Sequence, residues 1–465
     1  MKHITFDFSN TLEQNIGKEH GITHHELSGL EDKLTEIKEK LQAKKGSDKI
    51  TYINLPFFDA NLKNVEKFGD EIRSTYDALV VVGIGGSALG PLAIFKALKH
   101  PYHNDLPTEK RDAPAFYVLD NVDPEQVEQL FDVINPAKTA FIVITKSGGT
   151  AETIANFMAV VGYAESRGVD IRDQLYFVTD PSKGKLRQLS KDWKVPVLDI
   201  PEGVGGRFSV LTPVGLLPSA ALGVNVQEMI LGAKEFSAFS FSQPVLESPA
   251  FLFAAVHYLG MKRGKPIHVM FPYANSLYPI ADWFRQLWAE SLGKKVDNQG
   301  NIVHIGPTPV KALGTTDQHS QVQLYVEGPN DKIYTFLKVR NFRKEGSITG
   351  KLPYSDFSYL EGASLQTLIN AEELATEIAL TENNRPNLTV EFDQINAYNI
   401  GAYFYMLELA TEIMGELFNI NAFDQPGVEH GKIATYALMG REGFEKQKSD
   451  IEKKNAAKIS KKVMF

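Results

Sequence analysis

Ala78-Leu79-Val80-Val81-Val82 runs directly into Gly83-Ile84-Gly85-Gly86-Ser87-Ala88-Leu89-Gly90-Pro91. Five consecutive apolar residues suit a strand buried on both faces, and the glycines after them suit a tight turn into a helix. The texture repeats at 116–119, 140–145, 175–179 and 195–200, where short apolar runs end in turns rich in Gly or Asp. Helical patterns such as 151–166 lie between them. Apolar strands alternating with helices predict a parallel sheet covered on both sides. Residues 65–212 therefore read as one doubly wound α/β domain. A second series, at 267–271, 321–327 and 333–339, has a Trp-bearing helix between its first two members. It predicts a second α/β domain over 226–393, with the polar stretch 341–366 as an insertion or long loop. Residues 1–64 read as a helical extension, because Leu27, Leu30, Leu34, Ile37 and Leu41 recur at spacings of three and four with charged residues between them. Residues 394–465 read as a C-terminal helical segment, with helices over 395–417 and 425–438 and a solvated Lys-rich tail at 445–462.

The 465 residues are 43% hydrophobic and 23% charged, a balance that excludes disorder for the bulk of the chain. The absence of Cys excludes a disulfide framework, a thiolate nucleophile, an iron–sulfur cluster and a Cys-based zinc site. A net charge of -8 argues against general nucleic-acid binding. The start, Met1-Lys2-His3-Ile4-Thr5-Phe6-Asp7, lacks the basic cap and apolar run of a signal peptide. No apolar stretch approaches the ~20 residues that span a bilayer. The expectation is a cytoplasmic protein with no nucleic-acid or membrane partner.

Three glycine-bearing turns carry the candidate chemistry. Gly83–Ala88 satisfies Gly-x-Gly-x-x-Ala, but the acidic residue a dinucleotide site wants about 20 residues on is not well placed, since the next strand ends at Asp120. A small polar ligand at Gly86 and Ser87 fits better; a tight turn alone is the alternative. Thr145-Lys146-Ser147-Gly148-Gly149-Thr150 puts three hydroxyls and one Lys at the C-terminal end of a parallel strand, where open α/β sheets bind ligands. Without a Lys-Ser/Thr ending of P-loop type, this suits a phosphate monoester. A helix cap by Ser147 or Thr150 would use only one hydroxyl. In Glu202-Gly203-Val204-Gly205-Gly206-Arg207-Phe208-Ser209, Arg207 could hold an anion or a developing oxyanion, or make a surface salt bridge.

Elsewhere, Ile280, Trp283, Phe284 and Leu287 form a helical stripe, and Glu290 stands seven residues after Trp283, at nearly the same angle. It falls in the last turn before Gly293, where the helix dipole disfavours negative charge. Both effects would raise its pKa as a general base requires; pairing with Lys294 or Lys295 is the alternative. His319, among polar neighbours, reads as exposed or lining a site. Asp424 is expected to cap, and Pro426 to open, a helix that leans Lys432 inward. Lys432 could then donate a proton or bind an anion, or snorkel to the surface. The His residues, such as His24 and His25, show no metal-ligand spacing, so no metal is expected.

Residues 202–215 (EGVGGRFSVLTPVG) and 415–432 (GELFNINAFDQPGVEHGK) resemble the two signatures of the glucose-6-phosphate isomerase family. The GIGGS, TKSGGT, WAESLGK and DQHS segments occur in that family's order, and the resemblance runs from about Val80 to Gly440. It implies two sugar-isomerase domains of flavodoxin-like α/β type with helical additions at both ends. It implies reversible isomerisation of glucose 6-phosphate to fructose 6-phosphate through a cis-enediol, a step of glycolysis and gluconeogenesis, with no metal or organic cofactor. It implies a homodimer whose active site is shared between subunits. By this resemblance Glu290 shuttles the proton, Arg207 stabilises the enediolate, and His319, reaching in from the partner subunit, opens the ring with Lys432. Thr145, Lys146 (through its amide), Ser147 and Thr150 hold the phosphate, and Gly86, Ser87 and Gln425 line the substrate. The chain departs from the family's common wording at Gly149, which offers no hydroxyl, and at Pro426, where other members carry Trp. Three other readings stay open: a broader isomerase acting also on mannose 6-phosphate, a sugar-phosphate-binding regulator without catalysis, and a nicotinamide-dependent dehydrogenase.

Overall fold

The computed structural model describes residues 3–47, 49–58 and 62–465. Met1 and Lys2, part of the start read for a signal peptide, lie outside them. Two five-stranded sheets organise the chain. After β1 (Ile4–Asp7) come the strands of the first sheet: β2 (Ala78–Val82), β3 (Ala115–Leu119), β4 (Thr139–Thr145), β5 (Leu175–Thr179) and β6 (Val197–Asp199). They lie in the order β3-β2-β4-β5-β6, all parallel. Every residue of β2, β4 and β5 is buried. Leu79, Val81, Ile142 and Ile144 face one apolar cluster, and Val80, Val82, Phe141 and Val143 face the other. With both faces covered, the middle of a strand must be apolar on both sides, with threonine only at the ends of β4 and β5, and that produces the unbroken runs in the sequence.

The second sheet joins β7 (Ile267–Pro272), β10 (Thr308–Lys311), β11 (Lys332–Val339) and β12 (Asn387–Phe392) to β1, in the order β1-β12-β11-β7-β10. A small hairpin, β8 (Lys294–Val296) and β9 (Ile302–Ile305), stands apart. Two expectations change here. The N-terminal segment is not only helical: β1 pairs antiparallel with β12 and closes one sheet edge. Residues 321–327 are not a strand; Val322–Glu327 is a helix, and β10 takes the place in the sheet. The alternation of apolar residues there mimics a strand, but Tyr325 is turned inward and its hydroxyl donates to Gln321 Oε1, four residues back, at 2.6 Å.

The helix Ala397–Phe418 is buried around nearly its whole circumference. It packs on Val226–Ser242, Pro249–Lys262 and Tyr278–Leu292 and also touches Gly86–Leu98, so one apolar cluster runs between the two sheets. The 341–366 segment folds back on itself, with Ile348 N donating to Ala363 O at 2.9 Å and Leu365 N to Gly346 O at 2.7 Å. Its Arg343 donates to Ala97 O and Leu98 O, satisfying the last carbonyls of the helix Gly86–Leu98. Among the described residues, no helix is long and apolar enough to cross a membrane, and no group of three or more His, Asp or Glu is placed to hold a metal ion.

Glu408, in the middle of the central helix, is fully buried, and neither carboxyl oxygen has a hydrogen-bond partner. Burial pushes its pKa well above the ordinary 4.5. The native state therefore binds a proton that the unfolded chain releases above pH 4.5, so this group makes stability fall as pH rises through that window. Glu408→Gln, neutral throughout, is expected to be more stable than the parent, by a margin that widens by up to about 1.4 kcal/mol per pH unit above the carboxylate range. Urea unfolding at pH 5, 6, 7 and 8 measures it, and a margin that stays flat with pH contradicts the buried, protonated state.

Candidate functional site

The turn after β2 has Gly85 at φ +59°, and Gly86 opens the helix Gly86–Leu98 beside the half-buried Ser87. A β-carbon on Gly86 would stand 2.1 Å from the carbonyl oxygen of Gly206. The bare glycine thus lets this turn rest on the loop that carries Arg207.

Arg207, on the short turn Gly206–Phe208, is buried. Its Nε donates to Ser291 Oγ at 2.7 Å, Nη1 to Gln425 Oε1 at 3.0 Å, and Nη2 to the carbonyls of Ala422 at 2.7 Å and Asp424 at 3.1 Å. Nη1 also stands 3.3 Å from Glu290 Oε1. The guanidinium is therefore a fixed cation facing a carboxylate, not a surface salt bridge. Burial pulls its pKa below the usual value, while Glu290 and then Asp424 act against that.

Glu290 is 26% exposed, at the end of the helix Tyr278–Leu292, with Ile280, Trp283, Phe284 and Leu287 buried as their spacing requires. Lys294 does not pair with its carboxylate. Its ammonium donates instead to the main-chain oxygen of Glu290 at 2.9 Å and of Asp424 at 2.7 Å, and lies 3.4 Å from the Asp424 carboxylate. A cation there satisfies a helix's last carbonyls and complements its dipole.

At the end of β4, Thr145 Oγ1 is 3.0 Å from Thr150 Oγ1 and 3.4 Å from Ser147 Oγ, and Ser147 Oγ is 3.2 Å from Thr150 Oγ1. Thr150 occupies the N-cap position of the helix Ala151–Ser166, yet its side chain makes no capping bond. The three hydroxyls thus form a polar cluster at a helix N-terminus, the usual geometry for an anion. The Lys146 ammonium reaches away from them and donates to Glu202 O and Val204 O, both at 2.7 Å. Burial pulls its pKa down. Gly86 on Gly206 and Lys146 on residues 202 and 204 bind the three glycine-bearing turns into one surface.

Gly86, Ser87, Thr145, Lys146, Ser147, Thr150, Arg207, Glu290 and Gln425 are thus brought to one region. His319 and Lys432 are not. His319 is exposed on the turn Thr316–His319 after β10. Lys432 does not lean inward: it is 48% exposed and pairs with Glu429 at 2.7 Å, on a helix, Glu429–Leu438, in which only Ala437 is buried. Nor does Asp424 cap that segment. Gln425 stands at the cap position, its side chain making no capping bond and accepting from Arg207 instead, while Lys294 and Arg207 draw Asp424 toward themselves.

One residue was missed by sequence reasoning. Gln286 donates through Nε2 to Glu290 Oε2 at 3.1 Å, and the same nitrogen lies over Gly85. Its Oε1 is buried without a partner. The i, i+4 spacing from Glu290 is the signal that could have found it.

Two five-stranded, mainly parallel sheets, with a hydroxyl-rich turn at the end of one and a carboxylate facing a buried guanidinium where the two halves meet, define an α/β protein of the sugar-isomerase class. Residues 58–457 match the family model described as phosphoglucose isomerase, and the chain belongs to that family. It is 46% identical over 453 residues to the glucose-6-phosphate isomerase of Carboxydothermus hydrogenoformans, covering 97% of each chain. It is 41% identical to that of Rubrobacter xylanophilus, over 96% of this chain and 100% of the relative. A solved structure of a hypothetical protein from Thermus thermophilus superposes with a TM-score of 0.84 at 33% identity, over 94% of this chain and 100% of that one. The glucose-6-phosphate isomerase of Chlamydia trachomatis shares the fold, with a TM-score of 0.78 at 21% identity over 93% and 89% of the two chains.

A β-carbon at position 86 cannot coexist with the present Arg207 loop. Gly86→Ala is expected to lose about 1–3 kcal/mol of stability as the loop is displaced. Turnover should fall up to about 100-fold, because small misplacements of positioned groups are costly. Unfolding midpoints and steady-state rates that both match the parent would refute the contact.

Proposed function

We propose that Glu290 carries the proton between C1 and C2 as this chain, a glucose-6-phosphate isomerase, interconverts glucose 6-phosphate and fructose 6-phosphate. The activity is that of the family matched along most of the chain. The single observation behind the residue assignment is the Glu290 carboxylate 3.3 Å from a guanidinium held by four other groups. In the open-chain aldose, Glu290 removes the C2 proton while the C1 carbonyl takes up the electron pair as an enediolate oxygen. A proton passes from the C2 oxygen to the C1 oxygen, and Glu290 returns its proton to C1, which leaves the carbonyl at C2. Arg207 supplies a charge already in place for the enediolate, the arrangement that contributes most when no reorganisation is needed. The hydroxyls of Thr145, Ser147 and Thr150 and the amide of Lys146 take the phosphate, whose remote binding energy orients the sugar. Gly86, Ser87 and Gln425 line the rest.

Ring opening falls to His319 and Lys432 in a homodimer, with His319 entering the site from the partner subunit. Apolar side chains on the Lys432 helix and just past its end, Ile433, Leu438 and Met439, are exposed, as are Leu352, Tyr354 and Tyr359 of the 341–366 segment. Surfaces of that kind support an interface between copies. A cytoplasmic location fits a phosphorylated sugar as substrate.

Glu290→Gln keeps the shape and removes the base. Its turnover in a coupled assay is expected to fall by about 10²–10⁴-fold. Incorporation of solvent deuterium at C1 and C2 should fall with it. Undiminished turnover would refute the assignment.

A further inference from the structure

We infer that Gln318, acting through Thr376 and Tyr273, is the positioning residue for His319; this rests on His319 opening the ring as proposed above. Gln318 and His319 are neighbours on one 3-10 turn, where successive side chains diverge by about 120°. His319 is exposed, and among the described residues its ring makes no hydrogen bond. A proton donor on an exposed turn is useful only if the turn itself is held to a fraction of an ångström.

The turn is closed on itself by Asp317, whose carboxylate accepts from Leu313 N at 2.7 Å and Ser320 Oγ at 2.5 Å. That fixes its shape but not its place on the domain. Gln318 is the side chain that leaves the turn for another helix. Its Nε2 donates to Thr376 Oγ1 at 2.6 Å, in the helix Leu365–Glu382. The Tyr273 hydroxyl donates to the same Thr376 oxygen at 2.8 Å, and the Thr376 hydroxyl in turn donates to Glu372 O at 2.9 Å.

Tyr273 follows β7 directly and is completely buried. Its ring also supports the beginning of the turn: a β-carbon on Gly314 would lie 2.5 Å from three ring atoms, so the bare backbone rests on the aromatic face. One tyrosine thus underlies both ends of the segment, by its ring at Gly314 and by its hydroxyl, through Thr376, at Gln318. Gln318 Oε1 is buried without a partner. A buried amide that satisfies only one of its two ends is a poor packing residue, and an apolar side chain of that length would avoid the desolvation cost. What the amide contributes is the short directed bond to Thr376, beside a longer one from the same nitrogen to Glu372 O at 3.4 Å.

The test compares steady-state kinetics on glucose 6-phosphate for the full-length parent, Gln318→Ala, Thr376→Val, Thr376→Ser, Tyr273→Phe, His319→Ala and the double variant Gln318→Ala/His319→Ala. Thermal midpoints are recorded for each. Gln318→Ala and Thr376→Val are expected to lower kcat about tenfold, well inside the cost of an ångström-scale misplacement, with KM held within about twofold. Thr376→Ser, which keeps the hydroxyl, should restore the parent kcat. Tyr273→Phe keeps the ring under Gly314, should fold, and should show a smaller loss of the same kind. With His319 already removed, adding Gln318→Ala should change nothing, because there is no longer a side chain to place. An equal loss in both backgrounds overturns the inference and leaves Gln318 merely structural. Full activity of Gln318→Ala beside a slow His319→Ala overturns it as well. A His319→Ala variant at the parent rate would instead refute the ring-opening role, and the inference would fall with it.

Discussion

A buried guanidinium cannot shed its charge, so whatever surrounds Arg207 has to satisfy it. Arg207 belongs to the loop that follows the first sheet, but its partners Ser291, Gln425, Ala422, Asp424 and Glu290 all come from the second half of the chain. Leaving any of these donors bare would be far more costly than an ordinary lost hydrogen bond. The two halves are therefore held in one register by an electrostatic requirement as well as by the apolar cluster around the helix Ala397–Phe418. Lys294 repeats the device a few ångströms away, spanning the end of the Glu290 helix and the same 422–425 segment. Two buried cations converge on the Asp424 carbonyl, and this explains why that residue is unavailable as a helix cap.

The same constraint accounts for how a chain of net charge -8 could hold a doubly charged phosphate ester. At physiological salt, exposed charges more than about 8 Å away are largely screened, whereas buried ones are not. What a substrate would meet at the proposed site is the local set: Arg207, the half-buried Lys146, and the N-terminus of the helix Ala151–Ser166 with its three hydroxyls unused by the cap. Lys146 tightens this further, since its ammonium joins the hydroxyl turn to the Arg207 loop instead of pointing at solvent. The hydroxyl turn and the Arg207 loop are thereby tied together, which is what preorganised electrostatic stabilisation would demand of the roles proposed for them.

The first sheet was legible because strands covered on both faces carry no polar residue to interrupt them, as in β2 and β4. The second was less so. β1 is four residues long with alternating burial, and β12 carries Asn387, Thr389 and Glu391 among its apolar residues, so neither announces itself. Val322, Leu324 and Val326 alternate like a strand but lie on a helix whose packing is decided by Tyr325. Within the site, residues on glycine-bearing turns were legible because close backbone approach demands glycine. Gln286 was not, because a glutamine on a helix reads as solvent-facing until the Gly85 turn is seen beneath it. The inward lean expected of Lys432 failed for a related reason: periodicity predicts a face, but not whether anything covers that face within one chain.

The placement of His319 and Lys432 follows from the demands on Arg207. Its donors are committed to neighbours on several sides. Groups that act on the ring oxygen before the proton transfer begins have no room to originate in that packed shell. They have to come from its margin, on elements that remain exposed in the single chain. His319 and Lys432 meet that description, one on a short turn beyond β10 and the other on the open helix Glu429–Leu438. On the proposed roles, proton transfer and charge stabilisation would be built into the fold of one chain, where Glu290 and Arg207 already face each other. Ring opening, as proposed, would depend on surface elements whose position must be secured by other means, and the Tyr273, Thr376 and Gln318 contacts offer one such means.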